Sequence, residues 1–161
     1  VVSDPEIDVR FEAFPLHPKR ERSEAGTMTT KTLEDFIGIP WKVGGRDFDG
    51  VDCGGLCMLA AKHLYDIEIP DMWQYDETNN LAITIEVLKD LHEIALRVDQ
   101  PSNGDVISLQ LSPGYVHYGL FVDGRMLHIS ENTRSRLTRK IPNNYNVAYW
   151  RFGKGGEHKW V

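Results

Sequence analysis

Hydrophobic positions along the chain fall into three regimes. Residues 1–27 show no sustained period: three prolines and a charge cluster from Lys19 to Glu24 break up the apolar residues, with room for one short strand within 4–14. From Met28 to Ala95 the spacing is helical. Leu33, Phe36 and Ile37 mark a short helix that Thr30 or Thr32 can cap and Gly38 ends. Pro40 to Val51 reads as a loop rich in Gly and Asp. Asp52 can cap a helix running from Cys53 to about Tyr65, with Leu56, Leu59, Ala60 and Leu64 on one stripe. After a polar stretch around residues 70–80, Leu81, Ile85, Leu88, Leu91 and Ala95 predict a longer helix, broken at Pro101 to Gly104. The third regime alternates, and predicts strands over 105–111, 115–122, 125–130, 135–140 and 146–152. Helices first and an antiparallel sheet second is the α+β order.

Length and composition narrow the class. The 161 residues suit one domain, read as an N-terminal arm or linker at 1–27, a folded domain at 28–153 and a tail at 154–161. A chain that is 41% apolar, 26% charged and 10% aromatic is not wholly disordered. Lys+Arg 18 against Asp+Glu 24 gives a net charge of −6, the wrong sign for a broad nucleic-acid-binding surface. No apolar run approaches the roughly 18–20 residues that span a bilayer. The N-terminus lacks the charged-then-apolar layout of a secretory signal, and a start at Val1 suggests a processed chain or a fragment. Two cysteines four positions apart cannot build a disulfide framework.

The first chemical candidate is Cys53, which follows Asp52 and opens a predicted helix. Unpaired N–H groups and partial positive charge at a helix start favour thiolate over thiol. Gly54 and Gly55 behind it remove side chains where a substrate backbone would approach. A buried cysteine packing as a small hydrophobe would share this local sequence, and Cys57, one turn on, fits that reading better.

The segment Tyr115 to Ser130 adds geometry. Asp123-Gly124 is a two-residue hairpin turn between apolar runs. Closing it pairs Val122 with Arg125, Leu120 with Leu127, Gly119 with His128 and Tyr118 with Ile129. His117 then falls opposite Ser130 and diagonal to His128, within reach of it. Val116, Tyr118, Leu120, Val122, Leu127 and Ile129 form the core face. The histidines lie on the less apolar side, where Gly119 leaves space. Cysteine nucleophiles need an imidazole to take and return the proton and a polar group to orient that imidazole. Cys53, His117 and His128 supply these parts in that order. A satisfied histidine pair on a half-exposed sheet face is the alternative. His17, His63, His92 and His158 lack such a setting.

Together these residues resemble the NlpC/p60 cell-wall cysteine peptidases. The matching segments are PWKVGG (40–45), VDCGGLC (51–57), NGDVISL (103–109), HYGLFV (117–122) and DGRMLHIS (123–130). The wording GGRDFDGVDCGGL and DGRMLHIS is most similar to the branch found in phage and prophage tail-tip proteins. The resemblance implies a papain-like α+β fold with the cysteine helix packed on an antiparallel sheet. It implies hydrolysis of peptidoglycan stem-peptide amide bonds, between D-glutamate and the following diamino acid. It places Cys53 as nucleophile, His117 as base and His128 as the orienting residue, with no cofactor and no metal. Trp41, Asp52 and Gly54 take the oxyanion and substrate-binding positions. Two of these depart from the pattern: many members carry Tyr where this chain has Trp41, and Ser or Trp where it has Gly54, which opens the rim of the site.

The expected partner is a peptidoglycan stem peptide, with phage tail proteins beside it, no nucleic acid and no membrane span. The expected location is a virion tail or an envelope-facing compartment. Two other classes stay open at this point. One is a structural tail-assembly protein that keeps the fold for docking. The other is a tetrahedral metal site of Cys53, Cys57, His117 and His128. Acyl transfer by the same three residues is a variant of the peptidase reading.

Overall fold

A computed structural model of the chain describes residues 30–75, 78 and 80–153. The expected arm at 1–27, with its short strand, and the expected tail at 154–161 lie outside the described residues.

The helical regime begins with a 3₁₀ turn at Leu33–Phe36 rather than an α-helix, its start held by the Thr32 N–H donating to Asp35 Oδ2 at 2.8 Å. The loop expected over 40–51 contains a small hairpin, β1 (Arg46–Asp47) and β2 (Gly50–Val51). Helix α1 (Cys53–Tyr65) has the expected bounds, and Asp66 ends it in the left-handed region at φ 54°. Helix α2 covers Asn80–Ile94. The short strand β3 (Leu96–Val98) follows where no strand was expected. The sheet continues as β4 (Val106–Ser112), β5 (Tyr115–Val122), β6 (Arg125–His128), β7 (Arg136–Leu137) and β8 (Asn146–Arg151).

These strands form one six-stranded antiparallel sheet in the order β3-β8-β4-β5-β6-β7. Its tightest turn joins β5 to β6, where Asp123 (φ 50°) and Gly124 (φ 79°) are both left-handed, as a primed two-residue turn requires. That turn fixes Leu120 opposite Leu127 and Val122 opposite Arg125. A half-buried ion pair pins the open end of the sheet: Asp105, before β4, accepts from Arg151 of β8 through both carboxylate oxygens, at 3.0 and 2.9 Å.

Both helices pack on one face of the sheet. Phe36, Leu56, Cys57, Ala60, Val87 and Leu91 meet Val116, Tyr118, Leu120, Leu127 and Trp150 there, all 1% exposed or less. Each large apolar side chain fully buried in that layer contributes roughly 1.5–3 kcal/mol. The opposite face carries a second, smaller cluster of Ile107, Leu109 and Met126, with Phe121, Ile141, Val147 and Tyr149 packed against it. Among the described residues, no helix is long and apolar enough to cross a membrane.

Candidate active site

The start of α1 is held by a charge network. Asp52 is fully buried: Oδ1 accepts from the Gly55 N–H at 2.8 Å and from Arg46 Nη1 at 2.7 Å, and Oδ2 from the Gly44 N–H at 2.8 Å. Both oxygens are engaged by the chain itself, and Asp52 serves as helix cap and ion-pair partner. Arg46 also donates to both carboxylate oxygens of Asp71, at 3.0 and 3.2 Å, and from Nη2 to the Trp73 carbonyl at 2.5 Å. One guanidinium thus ties the segment after α1 to the helix start.

The two glycines face protein. A Cβ on Gly54 would lie 2.2 Å from the Trp73 ring, and one on Gly55 would lie 2.0 Å from the Gly45 carbonyl oxygen. Their missing side chains admit Trp73 and the Gly45 backbone, which corrects the expectation that they make way for a substrate. Gly54 therefore sits under Trp73, not on an open rim.

Cys53 is 6% exposed. Its sulfur lies 3.0 Å from the Tyr75 hydroxyl, and the backbone N–H groups of Gly54 and Tyr118 favour its charged form. Burial raises its pKa to about 12, and the charge of Asp52 adds to the rise, while the Tyr75 hydroxyl and the two N–H groups oppose it. Burial thus works against the thiolate that the helix start was expected to favour. Cys57 is fully buried and its thiol is likewise pushed up, first by burial.

The Tyr118 N–H marks where the cysteine meets the sheet. Tyr118 lies beyond the paired part of the β5–β6 ladder, which runs from Leu120 to Val122 on the β5 side. The sulfur meets the strand at that point, at the residue directly after His117.

His117 Nε2 and His128 Nδ1 are 2.8 Å apart, with the rings edge to face at 81°. The diagonal proximity expected from the turn register is therefore present. The setting differs from expectation: His117 is 1% exposed and His128 is fully buried. Their face is the one carrying Ile107, Leu109 and Met126, and Met126 fills the space beside Gly119, where a Cβ would come within 2.5 Å of its methyl carbon. Burial lowers the His117 pKa to about 3, with the nearby Arg136 charge adding to the effect. His128 is pushed down by burial, by His117 and by Arg136.

Trp41 pairs through its backbone with Val51 and donates its N–H to the Thr133 carbonyl at 3.1 Å. Its side chain packs, partly buried, against the core. The indole is not among the groups that hydrogen-bond Cys53. Tyr75, which does so, was missed from the sequence because it sits in a polar stretch with no period. Among the described residues, no group of three or more His, Cys, Asp or Glu could hold a metal ion.

The model of the NlpC/P60 family matches residues 38–152, from the loop before β1 to the residue after β8. The chain belongs to the NlpC/P60 family. Family members are cysteine peptidases and hydrolases. The fold is similar to NlpC2 from Trichomonas vaginalis, at 19% identity and a TM-score of 0.51 over 73% of this chain and 42% of that one. It is similar to NlpC1 from Trichomonas vaginalis, at 22% identity and a TM-score of 0.50 over 72% and 39%. The NlpC/p60 domain of the peptidoglycan hydrolase SagA matches at 19% identity and a TM-score of 0.43 over 71% and 88%. This chain thus spans about two fifths of the two Trichomonas vaginalis proteins. A search of curated protein sequences gave no match. Among the described residues, two α-helices on one six-stranded antiparallel sheet make the papain-like α+β arrangement expected for an NlpC/P60 domain.

Proposed function

We propose that this domain is a cysteine peptidase that hydrolyses stem-peptide amide bonds of peptidoglycan, with Cys53 as nucleophile, His117 as base and His128 as the residue that orients His117. The observation that carries the reading is the 2.8 Å contact with His128 made by His117 on β5, beside Tyr118, whose backbone favours the charged form of the Cys53 sulfur at the start of α1. Because the His pair uses Nε2 of His117, the ring nitrogen left to serve Cys53 in the proposed reaction is Nδ1. That assignment needs the tautomer in which His117 Nε2–H donates to His128 Nδ1.

In the proposed reaction the Cys53 thiol passes its proton to His117 as the sulfur attacks the peptide carbonyl. His117 returns the proton to the departing amine, and water, deprotonated by the same ring, hydrolyses the thioester. The Cys53 backbone N–H is the proposed oxyanion donor, worth about 3–4 kcal/mol. With the resting thiol at about 12 and His117 at about 3, the pair is neutral before substrate arrives, so proton transfer accompanies attack. The bond proposed is the one between D-glutamate and the diamino acid. Wild-type protein should release matching muropeptides from purified sacculi, read by mass spectrometry, and Cys53→Ala should release none. Equal release by both proteins would defeat the assignment.

The low exposure and raised pKa of Cys53 favour a second reading, a tail-assembly protein that keeps the fold for docking with phage tail proteins. The segment wording of the tail-tip branch supports it; the −6 charge instead suits the first reading, as a hydrolase carried to an anionic wall by a virion or held facing the envelope. Wild-type murein turnover separates the two.

A further inference from the structure

We infer that the hydroxyl of Tyr75 is a further catalytic group of this domain, donating a hydrogen bond to the Cys53 sulfur as that sulfur gives up its proton. The inference rests on the cysteine-peptidase reading of the site. It starts from the 3.0 Å contact between Tyr75 Oη and Cys53 Sγ. The backbone N–H groups of Gly54 and Tyr118, which can only donate, also favour the charged sulfur. Tyr75 therefore completes a pocket of three donors, an arrangement that suits a sulfur anion better than a thiol. The tyrosine keeps its own proton: burial and the neighbouring Cys53 and Asp52 all resist its ionisation. No base is added by Tyr75, so the thiol proton leaves towards His117 and the negative charge stays on sulfur.

The position of this hydroxyl is built into the fold. Asp71 and the Trp73 carbonyl, four and two residues before Tyr75, are both held by Arg46. The same guanidinium holds Asp52, which caps the helix that Cys53 opens. Trp73 itself is fully buried against Gly54. Arg46 is thus a positioning residue that sets the Tyr75 segment and the cysteine helix to one another through a single planar fork.

The test reads the sulfur directly. Wild type, Tyr75→Phe and Arg46→Lys are treated with iodoacetamide at neutral pH, and alkylation of the Cys53 peptide is followed by mass spectrometry. Thermal unfolding monitors the fold of each variant. Loss of one hydrogen bond to a charged sulfur raises the thiol pKa by about 1–2 units. The more basic sulfur is also more nucleophilic, so the expected net loss in rate is about 3- to 12-fold for Tyr75→Phe. Arg46→Lys should slow alkylation in the same direction by less, and adding it to Tyr75→Phe should slow it no further. If Tyr75→Phe fails to fold, Arg46→Lys carries the test. Alkylation as fast as wild type, or faster, would mean that Tyr75 merely covers the sulfur, and would overturn the inference. On sacculi, Tyr75→Phe should lower kcat and leave KM unchanged. Slowed alkylation beside a wild type that releases no muropeptides would keep the Tyr75 assignment and reject peptidoglycan as substrate.

Discussion

Gly54→Ala sets two effects of opposite sign against each other at the residue after the nucleophile. Replacing a helical glycine by alanine stabilises by roughly 0.5–1 kcal/mol through the unfolded chain. Against that stands a Cβ placed 2.2 Å from two ring atoms of Trp73 and 2.6 Å from its Cβ. An ordinary contact begins near 3.4 Å, so Trp73 or the start of α1 must move by more than an ångström. Trp73 is fully buried and its carbonyl is held by Arg46, so it cannot swing into solvent. Overpacking of this kind costs about 1–3 kcal/mol, and the upper half of that range applies because the obstacle is a fixed ring rather than a flexible tip. The expected net loss is about 1–2.5 kcal/mol, a fall in Tm of roughly 3–10 °C for a domain of this size. Differential scanning calorimetry of wild type and Gly54→Ala measures it. A Tm equal to or above that of wild type would show that Trp73 yields freely and that the tight seat under it is misread.

Further predictions concern the charges. Asp52→Ala removes the helix cap and leaves Arg46 with one acidic partner fewer, and urea unfolding should show a loss of about 3 kcal/mol. Asp52→Asn, which keeps an acceptor for Gly55, should lose less. His117 has its pKa lowered from 6.5 to about 3, so the unfolded chain binds a proton there that the folded chain refuses. Stability should therefore fall as pH drops from about 6.5 towards 3, with His128 adding to the slope. His117→Asn should flatten the dependence of Tm on pH across that window, and an unchanged slope would contradict the burial of a neutral ring. On the alkaline side the raised Cys53 pKa keeps its proton in the fold, so stability should fall above about pH 9, and less steeply in Cys53→Ala.

Local signals in the sequence carried much of this architecture. Asp52 as a cap and the apolar stripe behind it define α1, and Asp123-Gly124 sets the β5–β6 register that brings His117 to His128. Three features depend on contacts the local pattern does not encode. β1, β2 and β3 are two or three residues long, too short to show a period, and β3 follows directly on a helix end. The burial of the histidines comes from Ile107, Leu109 and Met126 on their face, of which Ile107 and Leu109 lie on a strand outside the hairpin. Tyr75 reaches Cys53 because Arg46 ties its segment down across 25 residues of sequence, which no local pattern signals. Burial also explains the departure in the chemistry: a helix start lowers a thiol pKa, and desolvation of Cys53 raises it.

The most direct measurement is the intact mass of the protein, quenched in acid while it turns over a soluble peptidoglycan stem peptide. The expected result is a covalent adduct equal in mass to the acyl half of that peptide, located by peptide mapping on Cys53 and missing from Cys53→Ala. Turnover with no adduct on Cys53, or an adduct on another residue, would contradict a cysteine nucleophile at the start of α1.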